Sequence, residues 1–409
     1  MIATQDLLFI STRFLFPVDS GGKIRTTQVL RGLKGGEFRI ILVSPATKSL
    51  IDRYQDEISK VCDEFHWWPE PSRGPLFHYT RMRFLPGYLP IPVRTDRHPK
   101  ALTAVANLLA KKPSVAVFDF IHSAVLAPIE IGCPSLVFTH NVEAEIFRRH
   151  RNVALNSVYR AIWSNQYLKM YGFEKRSLEK FDTVVAVSDR DSQQFAGNYA
   201  IKNSFVIPTG VDLEYFSYSP PERDSDIVFC GSMDWMANQE GVAYLMDKVW
   251  GEIIDRVPDA RMTIVGRAPP ENLVQEAKRR ELNWHFTGFV DDVRPHLRGA
   301  AVSVIPLNVG GGTRLKAYEA MAMGTPIVST SIGMEGLPAK PGQHYWCADK
   351  SIDFASAVVS LLNDVDLRTK MAEEARTYVE KNFSYTVVAK SFGEACKLAI
   401  SRYPNRCTV

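Results

Sequence analysis

The chain has no CxxC pair and no histidine cluster at zinc-ligand spacing, which excludes a zinc ribbon and a dithiol redox centre. Its six cysteines, Cys62, Cys133, Cys230, Cys347, Cys396 and Cys407, are scattered and read as reduced thiols of a cytoplasmic protein. Neither sign of charge is in excess: Lys+Arg 49 against Asp+Glu 45 leaves +4. That balance suits anionic substrates or an anionic membrane surface and is too weak to argue for nucleic acid. Long apolar runs are also missing. The most apolar stretch, 115–138, carries Asp119, His122 and Glu130 and is broken by Pro128 and Pro134, so no spanning helix is expected. The N-terminus has no basic region ahead of its apolar residues and reaches Gln5 and Asp6 at once, which reads as a first strand and not as a secretory signal. No strand-like run leads into GxGxxG with an acidic residue about 20 positions on, which argues against a nicotinamide-dependent dehydrogenase. Repeats and low-complexity tracts are absent.

What is present is an alternation of short apolar, β-branched runs with helix-length segments, the pattern of parallel strands buried on both faces. The runs are 7–11, 39–44, 115–120, 135–140, 183–188 and 204–210, then 226–232, 261–266, 284–289, 302–307 and 325–330. The polar segment SYSPPERDSD, Ser217 to Asp226, separates the two sets, and its two prolines stop any regular element. Two α/β domains follow, 1–218 and 219–384, in keeping with 409 residues at roughly 100–200 per domain. Helical patterns close the chain at 353–362, 367–381 and 387–400. Ligands of such sheets bind outside the carboxyl ends of the strands, which puts the expected site in a cleft between the domains.

PLNVGGGTRLKAYEAMAMGTPIVST (306–330) is the strongest single element. A strand ending at Leu307 runs into Gly310, Gly311 and Gly312, and a helix beginning near Thr313 aims its unpaired N–H groups at the same place, an anion cradle. Glycine turns of this kind open helices in many α/β proteins. Arg314 and Lys316, however, put cations in a first helical turn, against the macrodipole, a conflict that an anionic ligand relieves.

From these residues the chain resembles the family-4 glycosyltransferases, whose fold is GT-B, two Rossmann-like doubly wound parallel-sheet domains facing a cleft. The matches come in family order: 9–33, THNVEAE (139–145), DTVVAVSDRD (182–191), VIPTGVDLEYF (206–216), FCGSMDWMANQEGVAYL (229–245), DARMTIVGRAPP (259–270) and 286–307. The resemblance implies roles. Glu319 corresponds to the glutamate that holds the nucleotide ribose, and Gly288, Phe289 and Val290 to the loop at the base. Gly21 and Gly22 correspond to the N-terminal loop beside the donor diphosphate, and His140 to the histidine near the donor sugar. It also implies that 385–409 returns as a helix to the first domain, through Val387, Val388, Phe392, Cys396 and Leu398 to Ile400.

Two departures mark a variant subgroup. The family pattern is Glu-x7-Glu, yet Gly311 stands eight residues before Glu319. The arginine and lysine usual after the first donor-domain strand are absent from GSMDWMANQEG, 231–241. Arg314 is therefore expected to be the principal phosphate ligand, with Lys316 in support. Asp224/Asp226 and Asp189/Asp191 spell Asp-x-Asp, but the first lies in the linker and the second opens a helix as caps, so no metal and no cofactor beyond the nucleotide-sugar substrate is expected.

The resemblance implies a retaining glycosyltransferase that moves a sugar from a nucleotide diphosphate to an acceptor hydroxyl, with a lipid-linked or polysaccharide intermediate as acceptor. Rival readings are another GT-B enzyme, such as an epimerase, and a non-catalytic nucleotide-sugar-binding protein. Basic residues with aromatics at 71–90 and 148–176 suit either peripheral contact with an anionic membrane on its cytoplasmic face or ordinary helices with aromatics turned inward.

Overall fold

In the first strand Leu7 and Phe9 on one side and Leu8 and Ile10 on the other are all buried, which requires cover on both faces of the sheet. The computed structural model describes residues 5–70, 81–154, 156–202, 204–218, 226–308 and 315–403. A seven-stranded sheet has the order β3-β2-β1-β4-β5-β6-β7. Its strands are β1 (Gln5–Ser11), β2 (Phe38–Ala46), β3 (Glu64–Pro69), β4 (Val115–Asp119), β5 (Ser135–Phe138), β6 (Thr183–Ala186) and β7 (Ser204–Val206). A six-stranded sheet follows in the order β10-β9-β8-β11-β12-β13. Here the strands are β8 (Asp226–Cys230), β9 (Arg261–Val265), β10 (Trp284–Gly288), β11 (Val302–Ile305), β12 (Ile327–Ser329) and β13 (Trp346–Cys347). Every strand pairing in both sheets is parallel. These are two doubly wound Rossmann-like sheets.

The edge strands β3 and β13 were not among the apolar runs. An edge strand has one neighbour and less cover, so in EFHWWP Trp68 alone is buried while Trp67 and Pro69 are exposed, and β13 has two residues; neither carries the apolar run of a central strand.

The chain divides into one unit made of the residues up to Thr209 with those from Val388 on, and a second unit, Gly210–Val387. The segment 210–218, placed by sequence at the end of the first domain, belongs to the second. Val211 N–H donates to the Phe383 carbonyl at 2.8 Å, Tyr385 N–H donates to the Val211 carbonyl at 3.0 Å, and Phe216 joins the core with Tyr318 and Phe383. In the first unit the helices named below are α1 (Gly21–Leu33), α2 (Glu143–Val153), α3 (Ser157–Leu178) and α4 (Asp189–Tyr199). In the second they are α5 (Met236–Tyr244), α6 (Leu315–Met323), α7 (Ser351–Asn363) and α8 (Val365–Phe383). The last helix, α9 (Tyr385–Arg402), packs Phe392, Cys396 and Ala399 into a core with Phe9 and Phe138 of the first sheet. Its buried stripe is Val388, Ala389, Phe392, Gly393, Ala395, Cys396 and Ala399. Val387 falls outside that stripe and is 37% exposed. Small residues fill the inner face, and a Cβ added at Gly393 would lie 3.5 Å from Leu33 and 3.7 Å from Phe38.

Candidate functional site

The strand order of the first sheet reverses between β1 and β4, and at such a point the strand ends leave a crevice for ligands. Asp119, the last residue of β4, is buried there. Its Oδ1 accepts from Thr26 Oγ1 at 3.0 Å and its Oδ2 from Ser11 Oγ at 3.0 Å. His140, two residues beyond β5, places Nε2 2.8 Å from Asp119 Oδ1. A carboxylate only accepts, so Nε2 carries the proton. Burial pushes the His140 pKa down, and the Asp119 bond opposes this without reversing it, so the ring is neutral at pH 7. Nδ1 is turned toward Gly22, where an added Cβ would sit 3.5 Å away. Gly22 thus keeps open the space before the ring's lone pair. Gly21 and Gly22 lie in the first turn of α1 and not in a loop; Ser20 is the N-cap and offers no side-chain hydrogen bond.

Between these groups stands Phe120, with φ 68 and ψ 139, a region that glycine normally occupies and that costs a larger residue roughly 1–3 kcal/mol. Its ring meets His140 at 5.2 Å and His122 at 5.0 Å between centroids. His122 Nδ1 is 3.2 Å from Asp96. The helix that follows His140 is held from below by Glu174 of α3. That fully buried carboxyl accepts the N–H groups of Glu143 and Ala144 at 2.9 and 3.2 Å and the Tyr199 hydroxyl at 2.6 Å. Burial pushes its pKa up to about 7. Asp119 and Glu174 were not identified from sequence; an aspartate closing an otherwise apolar strand was the available signal for the first.

In the second unit the order reverses between β8 and β11. Lys316 of α6 reaches the end of β8: its Nζ donates to Asn238 Oδ1 at 3.0 Å and lies 4.4 Å from the Phe229 ring centroid. A Cβ at Gly231 would come within 2.7 Å of that ammonium, so a side chain there would push the lysine from the position it holds. Glu319, one turn further along α6, is partly buried, and desolvation pushes its pKa up to about 7 while Lys316 pulls it down. Sequence placed no cation between Gly231 and Gly241; the fold brings Lys316 there, and Arg267 as well, whose Nε donates to Ser232 Oγ at 2.9 Å. Arg267 was not foreseen. Gly288 ends β10 with φ +69, Phe289 is 71% exposed, and Val290 packs against the core cluster that includes Phe216 and Leu297. Gly310, Gly311, Gly312, Thr313 and Arg314 lie outside the described residues.

Of the two Asp-x-Asp pairs, Asp224 lies outside the described residues, and Asp189 and Asp191 lie in the first turn of α4, whose N-cap is Ser188 and not an aspartate. Asp191 N–H donates to the Ser188 hydroxyl that caps α4, at 3.2 Å, and Asp226 pairs with Arg261. Among the described residues no cluster of three or more His, Cys, Asp or Glu side chains suits a metal, and no helix is long and apolar enough to cross a membrane. Of the basic, aromatic regions, residues 71–80 lie outside the described residues. In α3, Met170, Phe173 and Leu178 are buried, whereas Val158, Tyr159 and Leu168 are each at least 60% exposed.

Residues 20–215 match the family described as Glycosyltransferase Family 4, and residues 224–364 the one described as Glycosyl transferases group 1. The chain therefore carries both domains of a GT-B glycosyltransferase. A phosphatidyl-myo-inositol mannosyltransferase of Mycobacterium leprae is 30% identical over 224 residues, which is 52% of this chain and 58% of that one. Sucrose-phosphate synthase from Thermosynechococcus elongatus superposes with TM-score 0.69 at 18% identity, over 97% of this chain and 99% of its own. HepE of Anabaena, solved with UDP and glucose, gives TM-score 0.66 at 13% identity, over 96% and 99%.

Proposed function

We propose that the chain transfers a sugar, with retention, from a nucleoside diphosphate donor to a hydroxyl of a lipid-linked or polysaccharide acceptor. The observation that carries this is the Lys316 ammonium fixed at Gly231 by Asn238, with Glu319 one turn behind it on the same helix. Breaking the glycosidic bond leaves about two negative charges on the diphosphate and an oxocarbenium-like centre on the sugar, and a preorganised cation with aimed N–H groups stabilises such charge where it forms. Lys316 and the cradle Gly310 to Arg314 take the phosphates, Arg314 through its planar fork. The Glu319 carboxyl holds the ribose hydroxyls, Gly288 to Val290 border the base, and His140, neutral and oriented by Asp119, stands at the transferred sugar. Fixed cations and N–H groups can meet this charge, so the reaction is proposed to run without a metal. The UDP and glucose bound by HepE support a nucleotide-sugar donor, and the lipid named in the mannosyltransferase relative, with the exposed Val158, Tyr159 and Leu168 of α3 and the arginines Arg148, Arg149 and Arg151 of α2, which packs against it, supports an acceptor at an anionic membrane surface.

The test is a donor panel. Each nucleotide sugar is assayed for thermal stabilisation of the purified protein, and the one that binds is then offered with membrane and polysaccharide extracts. Acceptor-dependent release of the nucleoside diphosphate is expected. Conversion of the donor without any acceptor would indicate an epimerase, and binding without turnover a non-catalytic protein.

A further inference from the structure

We propose that Arg267 is a donor-phosphate ligand held in reserve by Asp234, whose carboxylate occupies the phosphate's place until the donor arrives. This rests on the nucleoside diphosphate reading above. The ends of β8 and β9 are joined backbone to backbone: Gly231 N–H donates to the Val265 carbonyl at 2.8 Å and Met233 N–H to the Arg267 carbonyl at 2.9 Å. Gly266 has no room for a side chain, since a Cβ would lie 1.9 Å from the Gly231 oxygen. Arg267 is thereby fixed in register with Ser232, next to the residue that Lys316 reaches. Its Nε donates to Ser232 Oγ at 2.9 Å and to Asp234 Oδ2 at 3.1 Å, Nη2 lies 3.0 Å from Asp234 Oδ2, and the Ser232 hydroxyl donates to Asp234 Oδ1 at 2.7 Å.

The Asp234 carboxylate thus takes a guanidinium fork and a hydroxyl, a donor set that equally suits two oxygens of a phosphate. The Arg267 and Asp234 side chains are 56% and 48% exposed, and an ion pair so open to water is weak. A diphosphate, with more charge than one carboxylate and Lys316 as a second partner at Gly231, displaces it. Arg267 then supplies the cation that the stretch 231–241 lacks, and Asp234 sets a threshold against weaker anions.

The experiment is calorimetric titration of the full chain with UDP, GDP and ADP and with the matching nucleosides. For the diphosphate that binds, Arg267→Ala is expected to weaken affinity about tenfold or more, leaving nucleoside affinity unchanged. Asp234→Asn is expected to tighten diphosphate binding by about two- to fivefold, and to give no gain in the Arg267→Ala background. Unchanged diphosphate affinity in Arg267→Ala, or unchanged or weaker affinity in Asp234→Asn, overturns the proposal while the nucleotide-donor reading stands. A wild-type chain that binds none of the three diphosphates overturns both.

Discussion

His140 donates its Nε2–H to Asp119 Oδ1 across 2.8 Å, and Asp119 is itself held by hydroxyls from β1 and α1. The histidine is thus oriented by the switch point of the sheet, with its lone pair toward Gly22.

Two substitutions test the dyad. His140→Ala is expected to lower turnover by about 100-fold or more with nucleotide affinity nearly unchanged. Asp119→Asn, which exchanges one carboxylate oxygen for an amide donor and so no longer enforces the Nε2–H tautomer, is expected to lower kcat about tenfold or more with little change in donor KM. Nitrogen chemical shifts of the wild-type ring should report a neutral Nε2–H tautomer. A loss of nucleotide binding equal to the loss of turnover would place His140 elsewhere.

At the donor cradle, Gly231→Ala should change donor binding in the same direction as Lys316→Ala, because the added methyl, 2.7 Å from the ammonium, pushes it aside. Lys316→Ala should raise the donor dissociation constant by about tenfold, and Gly231→Ala by less. Arg314→Ala is expected to weaken binding and turnover together, by roughly 2–4 kcal/mol in kcat/KM. Glu319→Ala should weaken binding, leaving kcat at saturating donor largely intact. Normal kinetics in both Arg314→Ala and Lys316→Ala would remove the cradle from the mechanism.

The metal-free reading has its own measurement. Added chelator should leave the transfer rate unchanged, and inhibition that magnesium reverses would refute it.

Glu174 gives a pH dependence of stability. Its folded pKa, about 7, lies above its unfolded value, so its contribution is fully present below the unfolded pKa and is lost as pH rises to about 7. By linkage the loss is roughly 2–4 kcal/mol. Chemical denaturation at pH 5 and pH 8 should show wild type losing more stability than Glu174→Gln, which has no proton to release. Parallel slopes for the two proteins would contradict the assignment.

The closing helix is tested by Phe392→Ala. Phe392 is fully buried, with its ring 4.8 Å from Phe138 and 6.5 Å from Phe9 between centroids. Truncation should cost roughly 3–5 kcal/mol, read as a shift in denaturation midpoint.

Periodicity and glycine placement alone located the central strands, the three closing helices and the helix carrying Lys316 and Glu319. A strand buried on both faces must be a continuous apolar run, and that constraint is written locally. At an edge that constraint is relaxed: β7 and β10 kept an apolar run, whereas β3, with Trp68 alone buried, and the two-residue β13 escaped. The return of the last helix to the first unit rested on family resemblance, since its apolar stripe names no partner, and the boundary near Thr209 was set by bonds from Val211 to residues over 170 positions away. Site chemistry divides in the same way. His140, Lys316 and Glu319 were legible because each sits at a strand end or in a first helical turn with its motif around it. Their partners were not, since Asp119 lies 21 positions from His140 and Asn238 78 positions from Lys316. The absence of cations from 231–241 was a true property of the sequence and a poor guide to the field at that loop, because Coulomb forces act through space and the fold places Lys316 and Arg267 beside it.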